Sequence, residues 1–459
     1  MKKLIIVVLF LMSNGLINGQ EDKTYKSLEE ALKNPTQVFG LELSGEEITN
    51  FPKNIKILKN LEHLSIVNTQ IQLIPKEIGA LKSLISLEFR MNQFTSLPES
   101  IGELKNLKRI NISNSKLTGL PKTFGQLDSL EEITVSQSDL SSLPESIGDL
   151  TNLKKINISS SQLTKIPESI GNLINLTELS LGGNKIVELP KSIGSLTNLK
   201  ILFLISNQLT ILPESVGNLT KLSRLSLAYN QLTKIPGSIE SLINLTSLDL
   251  SFNKLEELPE LIGNFTELKE LNLSGNQLTN LPDVFEKLTN LYSLHLSNNL
   301  LAVLPESIGK LSALQELFLS SNKLKKLPES IVGLIELSSL YVDKNQLDSI
   351  PETIGELSKL SILKLSENQL IGLPNSIGEL TSLSSIHLSD NKIVNLPNSF
   401  SNLTNLGSLY MENNELSTLP KSIGNLANLY TLEISGNQFD TNSREEIKVL
   451  LPNCQCNFD

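Results

Sequence analysis

The sequence is poor in aromatic residues and in cysteine. It has no tryptophan, its aromatic fraction is 4%, and only two of its 459 residues are cysteines. So few cysteines exclude a disulfide framework as the source of its stability. Basic residues are outnumbered by acidic ones, 39 against 49, which gives a formal net charge of -10. That balance argues against nucleic-acid binding and against electrostatic attachment to anionic lipid.

Residues 1–19 have the pattern of a secretory signal peptide. Lys2 and Lys3 precede the apolar run Leu4–Met12, and small residues follow up to Gly15 and Gly19. The run is shorter than the ~20 residues that cross a bilayer, and no later stretch is suited to span one. We expect cleavage after Gly15 or Gly19 and a secreted protein, in the periplasm, on the cell surface or in the medium. An uncleaved anchor is the alternative.

One spacing organises the rest of the chain. Prolines recur every 23 residues from Pro52 to Pro420, without insertion or deletion. Only Pro35 and Pro452 fall outside this register, and they lie near the two ends. Such a period indicates an array of equivalent structural units, with no domain boundary inside it.

Each unit contains the signature of a short buried strand. In the unit LTELSLGGNKIVELPKSIGSLTN, Leu179 and Leu181 are two residues apart, the spacing of one strand face. The same two columns run from residues 41 and 43 to residues 432 and 434 and are apolar throughout, which predicts 18 strands. The segment after each proline, such as PKSIGSLTNL, is too short for a full helix. It predicts a helical or 3-10 turn with proline at its first position and glycine limiting its length.

An asparagine follows each strand in the later units. It lies six residues before the proline position in every unit from Asn184 to Asn437. We expect its amide to bond backbone groups of neighbouring turns, as an inward ladder. The first six units hold other residues here, apart from Asn92. We therefore expect these six units to differ from the rest in rigidity or curvature.

The combined pattern LxxLxLxxNxLxxLPxxIxxLxxL, over residues 38–442, resembles the leucine-rich repeat in its 23-residue form. It is most similar to the Ras-group type and to the long arrays of secreted bacterial repeat proteins. The resemblance implies an α/β solenoid, a horseshoe whose concave face is a parallel β-sheet of about 18 strands. It also implies short helical or 3-10 turns on the convex side and binding on the concave face, without naming a partner.

Both ends of the array predict caps, because a solenoid otherwise exposes its core at each end. Residues 20–37 predict a helical cap, with Ser27 at the N-cap and Glu30 completing a capping box. Residues 443–459 predict a helix capped by Ser443, followed by a last strand. The residues on one face of that strand, which we expect to be buried and to close the core, are Cys454, Cys456 and Phe458.

The sequence has no Walker loop, no GxSxG, no HExxH and no EF-hand loop. Its three histidines, His63, His295 and His387, occupy outward strand positions. His295 and His387 are four repeats apart, so their backbones are separated by ~19 Å and cannot share a metal ion. We predict a non-enzymatic protein with no cofactor and no metal.

In the stretch ELFLSSNKLKKLP, an aromatic residue occupies the solvent-facing side of a predicted strand. Leu317 and Leu319 face the core, which turns Phe318 outward. This column and two nearby strand-exit positions supply the ligand-binding candidates Phe203, Tyr229, Phe252, His295, Phe318, Tyr341, Lys364, His387 and Tyr410. Exposed rings often mark interfaces, although rings also suit strands for structural reasons.

The predicted function is binding of a macromolecular partner on the concave face of a secreted bacterial protein. Acidic residues beside the rings favour a protein partner with basic patches, and a glycan that stacks on the rings is a second candidate. The alternative function is an intracellular scaffold for a small GTPase or signalling protein, which would keep its N-terminus. An enzyme with an unrecognised site and a self-associating surface-layer protein are two further hypotheses.

Overall fold

The structure, a computed structural model, describes residues 23–459, so the predicted signal peptide lies outside the described residues. The strands are β1 Thr24–Tyr25, β2 Gly40–Ser44, β3 His63–Val67, β4 Ser86–Arg90, β5 Arg109–Ser113, β6 Glu132–Ser136, β7 Lys155–Ser159, β8 Glu178–Ser180, β9 Ile201–Phe203, β10 Arg224–Ser226, β11 Ser247–Asp249, β12 Glu270–Asn272, β13 Ser293–His295, β14 Glu316–Phe318, β15 Ser339–Tyr341, β16 Ile362–Lys364, β17 Ser385–His387, β18 Ser408–Tyr410, β19 Thr431–Glu433 and β20 Gln455–Asn457.

These strands form one open, parallel sheet of 20 strands, in which each pairs with its neighbours along the chain. The predicted horseshoe with about 18 strands is confirmed, because β2 to β19 carry the two apolar columns. The ends add two strands: Tyr25 in β1 is opposite Leu41, and Cys456 in β20 is opposite Leu432. β1 was not predicted, since a two-residue strand has no alternation to detect.

A 3-10 helix precedes each strand from β2 to β19, as the sequence predicts for the convex side. The helices are Pro35–Gln37, Lys53–Ile57, Lys76–Ala80, Glu99–Glu103, Lys122–Gln126, Glu145–Asp149, Glu168–Asn172, Lys191–Ser195, Glu214–Asn218, Gly237–Ser241, Glu260–Asn264, Phe285–Lys287, Glu306–Lys310, Glu329–Gly333, Glu352–Glu356, Asn375–Glu379, Asn398–Asn402 and Lys421–Asn425. The repeat proline usually stands one residue before the helix, not at its first position. At Pro167 the backbone is extended, and its carbonyl accepts the Ile170 N–H at 3.1 Å.

The glycine of the 3-10 helix allows neighbouring repeats to approach closely. A Cβ atom placed on Gly148 would lie 2.4 Å from the carbonyl oxygen of Ser169 in the next repeat. That distance is far inside van der Waals contact, so only glycine fits there without a shift of the backbone. The glycine therefore sets the spacing between repeats, rather than only limiting the length of the helix.

The asparagine ladder is present and buried. Asn322 is 8% exposed, and its Nδ2 donates to the carbonyls of Leu296 and Leu319 at 3.0 and 2.9 Å. Its Oδ1 accepts the Leu301 N–H at 3.0 Å, so one side chain satisfies three backbone groups. At the same position in an early repeat, Ser161 makes one bond, to the carbonyl of Ser159.

The first six repeats differ from the later ones in strand length. Strands β2 to β7 are five residues long, whereas β8 to β19 are three residues long. The change falls where the unbroken run of ladder asparagines begins, at Asn184. An amide at this position takes carbonyl groups at the exit of the strand, as Asn184 does with Ile158 and Leu181.

The caps close the array with two α-helices. Leu28–Ala31 forms α1, and Ser27 accepts the Glu30 N–H at 3.5 Å, while the Glu30 carboxylate binds Lys23 rather than completing the capping box. Thr441–Leu450 forms α2.

Two predictions about the C-terminal segment were inaccurate. Ser443 does not cap α2: the N-cap is Asp440, whose carboxylate accepts the Ser443 N–H at 2.7 Å and suits the positive end of the helix. Cys454 and Cys456 pack against the core together with Phe458, but both cysteines are half-buried, because β20 forms the exposed end of the solenoid. Burial raises the pKa of the Cys454 thiol to about 12.

Candidate binding surface on the concave sheet

The parallel register brings six of the predicted site residues into one row. His295 is directly opposite Phe318, Phe318 is opposite Tyr341, and the pairing continues one residue per strand. We call this row the aromatic stripe; its residues are His295, Phe318, Tyr341, Lys364, His387 and Tyr410. Each lies between two inward core residues on its strand and is half-buried.

The side chains of the aromatic stripe form two stacked groups, one from His295 to Lys364 and one of His387 and Tyr410. The rings of His295 and Phe318 are 4.2 Å apart, and those of Phe318 and Tyr341 are 4.5 Å apart, with planes within 11° of parallel. Lys364 Nζ lies 5.3 Å from the Tyr341 ring centre, and His387 stacks on Tyr410 at 4.3 Å. Such contacts fix the rings before any partner arrives.

The stacking also decides which part of each ring is open. Both faces of Phe318 are covered, one by His295 and the other by Tyr341. At the centre of the stripe, Phe318 therefore offers a partner its ring edge rather than a ring face. A sugar that needs the flat face of an aromatic ring would find none at Phe318, which disfavours the glycan hypothesis for the centre of the stripe.

Each stripe histidine has a serine hydroxyl within hydrogen-bond distance. Ser293 Oγ is 3.0 Å from His295 Nε2 and also donates to Glu316 at 3.2 Å, and Ser385 Oγ is 3.1 Å from His387 Nε2. Within residues 23–459, neither imidazole has the second hydrogen-bond partner that would orient it as a general base. Burial lowers the pKa of both His295 and His387, and Lys364 adds to the effect on His387. Both rings are therefore neutral at pH 7.

Carboxylates border the aromatic stripe at the strand exits. Asp343 accepts from Ser320 Oγ and from the Ser366 N–H, each at 3.2 Å, and Glu412 accepts from Ser389 Oγ. Of the ion pairs formed by residues 23–459, none includes Asp343, Asp390 or Glu412. These three charges are available to cationic groups of a partner.

The three remaining candidates, Phe203, Tyr229 and Phe252, lie apart from the stripe. The Arg224 guanidinium lies over the Phe203 ring at 5.8 Å. Tyr229 and Phe252, which we call the aromatic pair, stack at 4.3 Å with planes 8° apart. Strand β12, with Asn272 in the outward column, separates this group from His295. The nine candidates thus form two groups rather than one surface.

Both members of the aromatic pair have left-handed backbone. Their φ angles are 54° for Tyr229 and 53° for Phe252, and their side chains are 53% and 42% exposed. Large side chains rarely adopt this conformation, which costs an L-residue about 1–2 kcal/mol. Ile205, 36% exposed, lies in the same region and was missed by the sequence analysis. Its signal was an isoleucine in an outward column that is mostly serine.

No group of three or more histidine, cysteine or acidic side chains within residues 23–459 is arranged to hold a metal ion. Nor does any helix between these residues have the length and apolar character needed to span a membrane.

Comparison with protein families identifies the repeat. The family described as Leucine-rich repeat region matches residues 36–163, 137–248, 293–367 and 352–451, and Leucine rich repeat matches residues 220–278 and 243–301. The chain is a leucine-rich repeat protein. Among curated proteins, none matches this leucine-rich repeat chain significantly.

Several solved structures are similar over nearly the whole repeat array. A leucine-rich repeat protein of Leptospira interrogans is 35% identical, with a TM-score of 0.73, over 95% of this chain and 100% of that one. The ectodomain of the Arabidopsis thaliana receptor kinase GASSHO1/SCHENGEN3, in complex with CASPARIAN STRIP INTEGRITY FACTOR 2, is 32% identical, with a TM-score of 0.74, over 88% of this chain and 50% of that one. The plant peptide hormone receptor RGFR1, in complex with RGF2, is 31% identical, with a TM-score of 0.71, over 88% and 75%.

Proposed function

We propose that this protein is a secreted bacterial binding protein whose concave sheet holds an extended segment of a protein partner through the aromatic stripe. The observation that carries the proposal is the single row from His295 to Tyr410, in which one stack joins His295 to Lys364 and a second joins His387 to Tyr410. Aromatic side chains that are already fixed lose little entropy on binding, and they supply much of the energy at interfaces. The unpaired carboxylates of Asp343, Asp390 and Glu412 favour a partner segment with lysine or arginine.

Two similarities support the type of partner and the source. The two plant receptors similar to this chain at 31–32% identity were solved in complex with RGF2, in the case of a peptide hormone receptor, and with CASPARIAN STRIP INTEGRITY FACTOR 2. The Leptospira protein, which matches along its whole length, supports a bacterial origin. The proposal of secretion rests on the signal-peptide pattern of residues 1–19. Cleavage during export would remove these residues and leave the repeat array.

The proposal assigns the chain no catalysis. Within residues 23–459, neither stripe histidine has a second hydrogen-bond partner that would orient its imidazole as the base of a nucleophile. The alternative, an intracellular scaffold for a small GTPase or signalling protein, makes a different prediction about the N-terminus. Mass spectrometry of the protein from its own cells separates the two: a scaffold keeps residues 1–19, and a secreted protein begins after Gly15 or Gly19.

The experiment that tests the binding surface compares matched variants. The protein from Gln20 onward and its Phe318→Ser/Tyr341→Ser/Tyr410→Ser variant are immobilised and exposed to extracts of its own cells and of a host. Tyr430→Ser serves as the control, because Tyr430 is a 63% exposed ring outside the stripe. Circular dichroism first establishes that all forms are folded.

The proposal expects a partner that the parent and the Tyr430→Ser control capture and the triple variant loses. Equal capture by all three proteins would contradict it and would direct attention to the first six repeats or the convex side.

A further inference from the structure

We propose that the aromatic pair and Ile205 form a second anchoring site, which takes an apolar side chain of the same extended peptide segment that the stripe binds. The inference rests on the proposed function, because both sites would hold one partner. It assigns the two ends of that partner different chemistry: apolar at the aromatic pair and basic at the stripe.

The backbone at the aromatic pair is the first reason. Every repeat turns through left-handed backbone at this position: eight repeats hold glycine or asparagine there, seven hold another polar residue, and three hold a large apolar one, Met91, Tyr229 and Phe252. Tyr229 and Phe252 fit the conformation poorly, and their exposed rings contribute little to the core. Strained residues that folding does not require concentrate at functional sites.

The rings are also held in place, as an anchor requires. A Cβ atom on Gly275 would lie 2.6 Å from Cδ1 of Phe252, so the Phe252 ring lies directly over the Gly275 backbone. The Tyr229 ring stacks on the Phe252 ring, with the ring centres 4.3 Å apart. Ala228, in an outward column beside Tyr229, is only 3% exposed. A rigid ring in such surroundings loses little entropy when a partner binds.

The nearest carboxylate is more fully hydrogen-bonded than those beside the stripe. The Asp249 carboxylate receives the Ser226 hydroxyl at 3.3 Å and the Ser251 N–H and hydroxyl at 3.0 and 2.7 Å. These are three hydrogen bonds, against two at Asp343 and one at Glu412. The exposed rings and Ile205 therefore dominate this surface, and it favours an aliphatic or aromatic side chain over a lysine or arginine.

The spacing sets the length of the segment. Tyr229 follows β10 and the stripe ends on β18, so eight strand intervals of ~4.8 Å separate the two ends, about 38 Å. An extended peptide covers that distance with about 12 residues at ~3.3 Å each.

The test selects random peptides of about 16 residues, displayed on phage, on the protein from Gln20 onward. Selected peptides are synthesised, and their dissociation constants are measured by fluorescence anisotropy on the parent and on two double variants. One is Tyr229→Asn/Phe252→Asn, which uses a residue that the chain already tolerates at this position. The other is Phe318→Ser/Tyr341→Ser. The control is Met91→Asn, because Met91 has φ 54° and is 43% exposed in an early repeat.

We expect peptides with an apolar residue near one end and basic residues near the other. Their affinity should fall by about 30-fold or more on Tyr229→Asn/Phe252→Asn and stay unchanged on Met91→Asn. The aromatic-pair variant should unfold at no lower guanidinium concentration than the parent; a clearly lower midpoint would overturn the strain argument.

The remaining outcomes separate this inference from the proposed function. Affinity lost only on Phe318→Ser/Tyr341→Ser would overturn the second site and leave the stripe standing. Affinity lost only on Tyr229→Asn/Phe252→Asn would support the second site and contradict the stripe. Unchanged affinity on both variants, or failure to select any peptide on the parent, would overturn the inference.

Discussion

Removing one ladder asparagine should destabilise the protein far more than its size suggests. In Asn322→Ala, the Leu301 N–H loses its partner, whereas the carbonyls of Leu296 and Leu319 each lose one of two amide donors and keep the other, from Asn299 and Asn345. A buried N–H left without a hydrogen bond costs about 1–3 kcal/mol and each of the two lost carbonyl bonds about 0.5–1.5 kcal/mol, which together give ~2–6 kcal/mol. Ser161→Ala, at the same position of an early repeat, removes one bond and should cost about 1 kcal/mol.

The assay is guanidinium unfolding combined with amide hydrogen exchange, since long repeat arrays do not always unfold in one step. Asn425→Ala, an exposed asparagine in a 3-10 helix, is the control. Exchange should accelerate at Leu301 and its neighbours in Asn322→Ala and stay unchanged in Asn425→Ala. If the three variants have the same unfolding midpoint, the ladder hydrogen bonds do not contribute the expected free energy to stability.

Three further predictions concern packing, pH and thiol chemistry. Gly148→Ala forces a Cβ against the backbone of Ser169 and should lower the unfolding free energy by about 1–3 kcal/mol. Gly372→Ala, with open space around it, should leave the unfolding free energy unchanged. Equal unfolding midpoints for the two variants would refute the role of Gly148 in setting the spacing between repeats. Burial lowers the pKa of His387, so the unfolded chain takes up a proton first and stability falls as pH drops below ~6.5. His387→Gln should reduce this fall in stability, and an unchanged pH profile would contradict the prediction. Cys454, with a pKa of about 12, should react with iodoacetamide at pH ~8 on the order of a thousand times more slowly than a free thiol, and a rate near that of free cysteine would contradict its burial.

The fold could be predicted from sequence because equivalent positions of the repeats have the same structural environment in every unit. A position that is apolar in every unit, as at Leu317 and its equivalents, can only face the core, and a spacing of two residues specifies a strand. The ladder followed from the same regularity at Asn322. Irregular features were harder to predict: the C-terminal helix begins at Thr441 because Asp440 caps it, although Ser443 also resembles a cap.

The candidate surface could be predicted only as a list of residues. The outward column identified Phe318 and its neighbours, but it did not reveal that stacking covers both faces of that ring, since side-chain rotamers are not encoded by spacing. The strain at Tyr229 and Phe252 did leave a signal. Their position holds glycine or asparagine in eight other repeats, which marks left-handed backbone in the sequence itself.

Hydrogen–deuterium exchange with the tightest selected peptide tests the central claim most directly, because it locates the partner on the intact protein. We predict slower exchange in strands β13 to β18, which carry the aromatic stripe, and no change on the convex 3-10 helices. Protection confined to the first six repeats or to the convex side would show that the aromatic stripe is not the binding surface.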